Sequence, residues 1–143
     1  MKVNPSIFKA YDIRGRYPQD INQETITAIV KAIYSFFVKD IGRDPLTIVL
    51  GRDMRISSPE LFKRAANVLV SLGATVLDVG LISTPTLYFA IFHYHADCGI
   101  QISASHNPKD YNGMKFGKRV GDKLVKVSRI TGMEEVKNMA VTD

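Results

Sequence analysis

Cysteine is nearly absent from this sequence, since the 143 residues include only one, Cys98. A single thiol cannot form an internal disulfide, and a chain without disulfides is typical of a reducing cytoplasm. Cys98 lies in an apolar run, where a thiol is more often a buried structural group than a nucleophile. The composition therefore excludes the disulfide-rich secreted proteins.

Long hydrophobic runs are absent as well. No apolar segment approaches the ~20 residues of a transmembrane helix. No continuous apolar segment follows residues 1–5, so no signal peptide is expected. We therefore expect a cytoplasmic protein without a membrane partner.

The composition favours one folded domain with anionic partners. The chain is 45% apolar and long enough to bury a core, and its formal net charge of +5 favours negatively charged partners. Nucleic acid is not favoured, because the sequence has no nucleic-acid-binding module and its aromatic residues do not interleave with the basic ones. A small phosphorylated substrate needs few of these charges, and we interpret most of them as a solvated face. Basic residues are densest in the last third, at Lys115, Lys118, Arg119, Lys123, Lys126 and Arg129.

Predicted strands and helices alternate along the chain. Apolar residues at helical spacing predict a first helix that Asn22 caps and Gly42 ends, and Ser58 is the predicted cap of the second. Helical patterns between three short apolar runs imply a parallel sheet with right-handed crossovers. The run 114–118 follows too soon for a helical crossover and predicts an antiparallel neighbour. The three predicted parallel strands are 47–50, 75–79 and 98–102.

Three loops are expected to meet at one edge of this sheet. Segments 52–57, 80–84 and 103–112 each follow the carboxyl end of a predicted strand. Ligands of open parallel α/β sheets bind at that edge. The loops are far apart in sequence, yet the topology predicts that they line one site.

The third loop carries most of the candidate chemistry. A hydroxyl, an imidazole, an amide and an amine occur within eleven positions, from Ser105 to Lys115. The pairs Asn107-Pro108 and Asn112-Gly113 are strong turn formers. We therefore interpret this stretch as a rigid loop that a scaffold holds in place.

Three motifs resemble one family. The residues Ser-Ala-Ser-His-Asn-Pro at 103–108, followed by Asn-Gly-Met-Lys at 112–115, resemble the phosphoserine loop of the α-D-phosphohexomutases. The segments 9–15 and 51–55 resemble the opening segment and the first strand's loop of the phosphomannomutase/phosphoglucomutase branch. The resemblance implies a three-layer α/β/α fold with a four-stranded mixed sheet, mostly parallel, whose last strand is antiparallel. It also implies that residues 1–143 form a single domain, the first of a four-domain enzyme.

The resemblance implies a phosphohexomutase reaction. Ser105 would carry a phosphate and exchange it with a hexose phosphate through a hexose bisphosphate, so that a phosphate moves between positions 1 and 6. Mg²⁺ in the full-length enzyme would bind one oxygen of the phosphoserine, and an aspartate cluster of the second domain would supply its other ligands. No Asp-x-Asp-x-Asp run occurs in this chain. We therefore expect the chain to need the C-terminal domains of the same enzyme and to be inactive alone.

The resemblance also implies roles for the residues next to Ser105. Lys115 would bind substrate together with Ser105, assist proton transfer and balance charge. His106 would help to order the site, and Asn107 would form the loop. Ser103 is the nearest competitor to Ser105, but the motif's register favours Ser105.

Four further residues belong to the predicted site. Tyr11 and Arg14 match family residues close to the phosphoserine, and the planar guanidinium of Arg14 suits a phosphate. Arg52 and Asp53 are expected to hold adjacent loops together through an ion pair.

Two other functions remain open from the residues alone. The first is a serine hydrolase, suggested by Ser105 beside His106. Neighbours in an extended segment point to opposite faces, however, and the Gly-x-Ser-x-Gly elbow is absent. The second is a non-catalytic phosphate-binding or scaffold module.

Overall fold

The helices and strands follow the predicted alternation. The computed structural model describes residues 2–142. Its elements are β1 (Ile13–Arg16), α1 (Gln23–Ile41), β2 (Thr47–Arg52), α2 (Ser58–Ser71), β3 (Thr75–Leu81), α3 (Thr84–His93), β4 (Cys98–Ile102), β5 (Tyr111–Val120), β6 (Lys123–Lys126) and α4 (Glu134–Thr142). A short helical turn, Pro5–Ile7, precedes β1, and an irregular turn, Arg129–Met133, precedes α4.

The sheet confirms the predicted fold class and is wider than predicted. Its order is β1-β5-β4-β2-β3, and β6 also pairs with β5. Strands β3, β2 and β4 are parallel, and β5 is antiparallel to β4 as predicted. The sheet of residues 2–142 has six strands rather than the expected four, because β5 is twice as long as β4. Along its other side β5 pairs with both β1 and β6, two strands of four residues whose alternation is too short to recognise in the sequence.

Helices cover both faces of the sheet. Helix α1 packs against α2 and α4 on one face, while α3 packs against β2 and β4 on the other. The larger apolar core lies under α1, α2 and α4, and a smaller cluster lies under α3. The domain is therefore a three-layer α/β/α sandwich. Within residues 2–142, none of the helices combines the length and hydrophobicity that a bilayer crossing requires.

The first helix and the cysteine follow the prediction. The Asn22 side chain accepts the Thr25 amide at 2.9 Å, and the Thr25 hydroxyl accepts the Asn22 amide at 3.0 Å. Gly42 ends the helix in the left-handed region, with φ of 78°. Cys98 is fully buried, and burial raises the pKa of its thiol. The interpretation of Cys98 as a structural group is confirmed.

Two local predictions were wrong. Ser57, not Ser58, occupies the cap position of α2, because the Ser58 hydroxyl instead donates to Asp53 at 2.6 Å. Asn112 and Gly113 do not form a turn but lie in β5. Gly113 is required there by a close approach of β1, since an added Cβ would lie 1.8 Å from the carbonyl oxygen of Ile13.

The three loops meet at the carboxyl edge of the sheet, as predicted. The Ile82 amide donates to the Arg52 carbonyl at 3.0 Å, and the Asp53 amide donates to the Ile102 carbonyl at 3.0 Å. The buried Gln101 side chain accepts the Thr84 hydroxyl at 2.7 Å. Hydrogen bonds therefore join the ends of β2, β3 and β4 and hold their loops close together.

Replacing Gly113 should loosen β1. We expect Gly113→Ala to lower the free energy of unfolding by ~2–3 kcal/mol, because the new Cβ collides with backbone that cannot rotate away. Urea denaturation measures the change. Gly121→Ala is the matched control: nothing lies within 4 Å of its added Cβ, and its left-handed φ alone costs about 1 kcal/mol. Equal losses in the two variants would contradict this account of Gly113.

Candidate active site

Ser105 lies at the tip of the loop after β4, with its backbone held at both ends. Its amide donates to the Ser103 hydroxyl at 3.0 Å, and its carbonyl accepts Nη2 of Arg55 at 3.1 Å. Its φ is 56°, a left-handed value that non-glycine residues seldom adopt. Ser105 is half-buried, and no partner within residues 2–142 hydrogen-bonds its hydroxyl. Ser103 is only 4% exposed, so Ser105 is the serine of this pair that can meet a substrate.

Arg55 holds this loop, although its role was not predicted from the sequence. Nη1 donates to the carbonyls of Pro108 at 2.6 Å and Tyr111 at 3.0 Å. Nη2 donates to the carbonyls of Ser105 at 3.1 Å and Asn107 at 2.7 Å. The side chain is only 6% exposed. One buried guanidinium therefore binds four carbonyls of the segment that carries Ser105.

Asp53 forms an ion pair with Arg55, whereas the sequence predicted an ion pair with Arg52. Asp53 Oδ2 accepts Nε of Arg55 at 3.2 Å, and Oδ1 accepts the amide of Arg55 at 3.1 Å. Within residues 2–142, the Arg52 side chain donates only to the Asp53 backbone carbonyl, at 3.2 Å. Adjacent residues in extended backbone point to opposite sides, whereas residues two apart share a side. That spacing was the signal in the sequence that could have identified Arg55.

The buried Asn112 amide ties β5 to the start of α2. Its Nδ2 donates to the hydroxyls of Ser57 at 2.7 Å and Ser58 at 3.0 Å. Its Oδ1 accepts the Gly113 amide at 2.8 Å. Since Ser58 also binds Asp53, and Asp53 binds Arg55, hydrogen bonds connect Asn112 to Arg55.

Asp12 links the predicted lysine and arginine of the site. Its carboxylate accepts Lys115 Nζ at 3.1 Å and Arg14 Nε at 2.8 Å. Nη1 of Arg14 donates in turn to Asn107 Oδ1 at 2.7 Å. Burial, and then the Asp12 carboxylate, raise the pKa of Tyr88. Two cations share one carboxylate beside the Ser105 loop, and the excess positive charge suits a phosphate.

The exposed site residues lie in two separate grooves. A groove of about 500 Å³ includes Ser105, with exposed His106 beside it. Tyr11 is 76% exposed and lies in another groove, beside Arg129. The structure therefore brings Ser105 and His106 together and does not place Tyr11 in their groove. The first groove is lined by Met54, Arg55, Ile56, Ser105, His106, Asn107 and Lys109.

The donor set does not by itself suit a divalent cation. Residues 2–142 contain no group of three or more His, Cys, Asp or Glu side chains that could hold a metal ion. Mg²⁺ prefers an octahedron of oxygen ligands. The side chains of residues 2–142 therefore do not by themselves fit such a site.

Comparisons with known proteins agree with the fold described above. Residues 5–132 match the family model described as phosphoglucomutase/phosphomannomutase, alpha/beta/alpha domain I. A phosphomannomutase of Salmonella montevideo is 42% identical over 137 residues, which are 96% of this chain and 28% of that protein. A phosphomannomutase of Klebsiella pneumoniae is 41% identical over 133 residues, which are 93% of this chain and 79% of that protein. The chain thus spans little more than a quarter of the Salmonella relative.

Solved structures share the fold. A phosphoglucomutase/phosphomannomutase family protein from Burkholderia thailandensis superposes with a TM-score of 0.78 at 31% identity, over 98% of this chain and 31% of that one. A crystal structure from Thermus thermophilus superposes with a TM-score of 0.83 at 23% identity, over 98% of this chain and 30% of that one. The second likeness supports the fold alone.

Removing the charge of Asp12 should destabilise the site measurably. We expect Asp12→Asn to lower the free energy of unfolding by ~2 kcal/mol, because Lys115 and Arg14 lose a shared partner that is 5% exposed. Urea denaturation measures the loss. The matched control, Asp40→Asn, removes a carboxylate that pairs with Lys118 and is 34% exposed, and it should cost less than ~1 kcal/mol. An Asp12→Asn effect no larger than the control's would show that the bridge is only a surface pair.

Proposed function

The chain belongs to the phosphoglucomutase/phosphomannomutase family as its α/β/α domain I, and on that premise we propose that it supplies the phosphoserine loop of a phosphohexomutase. The proposed substrates are a hexose phosphate, of mannose or glucose, and the corresponding hexose bisphosphate. The proposed activity belongs to a longer protein, because the Salmonella relative, which is a phosphomannomutase, is more than three times as long as the matched region.

The placement of the Ser105 hydroxyl is the observation that carries this proposal. Its backbone is fixed by Ser103 and Arg55, while the hydroxyl has no hydrogen-bond partner within residues 2–142 and borders an open groove. A fixed backbone with an available side-chain oxygen is what a phosphoryl carrier requires, since phosphoryl transfer depends mainly on positioning and charge stabilisation.

The proposed transfer balances without another reactant. The bond between phosphorus and Ser105 Oγ breaks while phosphorus bonds to the oxygen of a sugar hydroxyl. The sugar hydroxyl loses its proton and Ser105 Oγ gains one, so the number of protons is unchanged. In the second transfer the other phosphate of the bisphosphate returns to Ser105. The net result moves a phosphate between positions 1 and 6 of the hexose.

Lys115 and Arg14 are the proposed sources of positive charge. Both bind Asp12, which fixes their positions and leaves one positive charge in excess. Arg14 also binds Asn107, two residues after Ser105. We assign charge stabilisation and assistance of proton transfer to Lys115, and phosphate neutralisation to Arg14. His106 is proposed to order the groove.

The remaining parts of the site are proposed to come from outside this chain. Mg²⁺, when bound, would neutralise charge on the phosphate, and the other domains of the enzyme would supply its remaining ligands and the sugar-binding groups. Tyr11, with Arg129 beside it, is proposed to approach the substrate only in the complete enzyme. The isolated domain is proposed to be inactive, and the complete enzyme to act in the cytoplasm.

A serine hydrolase is the less favoured alternative. Within residues 2–142, no hydrogen bond joins the Ser105 hydroxyl to His106, which is exposed to solvent. A hydrolytic serine requires an adjacent base for activation. A phosphoserine does not, because it already carries the group that it transfers.

Removing the Ser105 hydroxyl tests the proposal directly. Ser105→Ala in the full-length enzyme should abolish mutase activity, because no atom remains to carry the phosphoryl group, and should leave the far-ultraviolet circular dichroism unchanged. Intact mass should show a phosphatase-sensitive phosphate in the wild type and none in the variant. Ser6→Ala, at an exposed serine, is the control and should retain both properties. Full activity in Ser105→Ala, or a phosphate on another serine only, would reject the assignment.

Replacing Lys115 separates its proposed role from that of an ordinary strand lysine. Lys115→Ala in the full-length enzyme should lower kcat by ~100-fold or more, because charge stabilisation and proton transfer are lost together. Steady-state kinetics with glucose 1-phosphate or mannose 1-phosphate measures the loss. Lys118→Ala is the matched control, since Lys118 lies on the same strand and pairs with Asp40. Equal rates in the two variants would show that Lys115 is only a surface residue.

A further inference from the structure

We propose that Arg55 is a positioning residue for phosphoryl transfer: it sets the conformation of the Ser105 turn and binds no phosphate itself. This inference rests on the proposed function and deepens it. Arginines near a phosphoryl group usually serve as phosphate ligands. The contacts of Arg55 assign it a different task, because they are directed entirely to the protein backbone and to Asp53.

Every donor of the Arg55 guanidinium is occupied. A guanidinium carries five N–H groups, and Arg55 makes five hydrogen bonds, one from Nε and two from each terminal nitrogen. The side chain is only 6% exposed. A phosphate could be bound only after one of these bonds broke. Arg14 differs, since its side chain is 36% exposed and, among the residues from 2 to 142, uses only Nε and Nη1.

The four carbonyls that Arg55 binds fix the backbone from which the Ser105 side chain leaves. A left-handed φ is unfavourable for a non-glycine residue, and such a conformation persists only where surrounding contacts over-determine it. At Ser105 the contacts are the Ser103 hydroxyl before the bend and Arg55 after it. The bonds from Arg55 to the carbonyls of Asn107 and Pro108 hold the following turn in place.

Asp53, the carboxylate that anchors Arg55, connects this turn to the strands and helices of the domain. Asp53 receives Nε of Arg55 and the Ser58 hydroxyl at the first turn of α2. The Asp53 amide binds the carbonyl of Ile102, the last residue of β4. Arg55 therefore fixes the Ser105 turn relative to β2, β4 and α2 together. A lysine could not do the same, because one ammonium group with three donors cannot reach four carbonyls and a carboxylate.

The test compares Arg55→Lys with the wild type in the full-length enzyme. We expect kcat to fall ~100-fold, because a small displacement of a reacting group costs about two orders of magnitude, while KM for the sugar phosphate changes less than about twofold. Amide hydrogen exchange should accelerate in residues 103–111 and stay unchanged in α1. Arg64→Lys is the matched control: Arg64 is exposed on α2, and within the described part of the chain its side chain binds only Gln23. This variant should leave kcat, KM and exchange at wild-type values.

Three outcomes would overturn the inference. A raised KM with unchanged kcat would show that Arg55 binds the substrate. Wild-type kcat with accelerated exchange would show that the turn's conformation does not matter for transfer. Accelerated amide hydrogen exchange throughout the domain would show that Arg55 stabilises the whole fold rather than the Ser105 turn. If the wild-type enzyme has no mutase activity, the proposed function fails, whereas the exchange in residues 103–111 still reports whether Arg55 holds the turn.

A second variant keeps the inference testable if Arg55→Lys does not fold. Asp53→Asn retains the size of the side chain and weakens the bond to the Arg55 guanidinium, together with the bonds that Asp53 accepts from the Ser58 hydroxyl and the Arg55 amide. We expect faster exchange in residues 103–111 and a kcat about tenfold lower, with KM unchanged. Wild-type exchange and kcat in Asp53→Asn would contradict the proposed coupling.

Discussion

The buried guanidinium of Arg55 is the interaction on which the functional edge of this domain depends. Backbone carbonyls turned inward cost free energy unless donors meet them, and Arg55 meets four such carbonyls in the segment that contains Ser105. Asp53 orients the guanidinium and is held in turn by Ser58. Buried hydrogen bonds thus hold the loop to the sandwich and fix the backbone that carries the Ser105 hydroxyl.

Charge is arranged around that loop in two different ways. Arg55 is buried and its donors are all used within the protein, whereas Arg14 and Lys115 are part-exposed and share Asp12. The first arrangement stabilises conformation, and the second leaves positive potential where an anion can approach. The same residue type therefore contributes rigidity at one position and, in the proposed reaction, phosphate neutralisation at another. The distinction rests on burial and on the number of donors already occupied.

Much of the fold was predictable because its strongest elements are coded locally. The period of α1, its Asn22 cap and its Gly42 end are all visible in a short stretch of sequence, and the structure places them as predicted. The strand β4 was also predicted with its observed ends. The strands β1 and β6 were missed as pairing partners, since four residues carry too little alternation and their pairing depends on the length of β5. Asn112 and Gly113 resembled a turn in sequence, but burial of the amide and the close approach of β1 place them in a strand.

By itself, the sequence determined the alternation of helices with the strands β2 to β5, the edge at which the three loops meet, and the motif that includes Ser105, His106 and Lys115. These three features follow from the hydrophobic period, from strand direction and from the family resemblance, all of which can be recognised in the sequence. Only the tertiary structure decided that Asp53 pairs with Arg55, that Asp12 joins Lys115 to Arg14, and that Tyr11 lies in a different groove from Ser105. The physical reason is that two side chains can pair only when the backbone directs both towards the same place. Asp12 and Lys115 lie far apart in the sequence, and they come close together only when the sheet has formed.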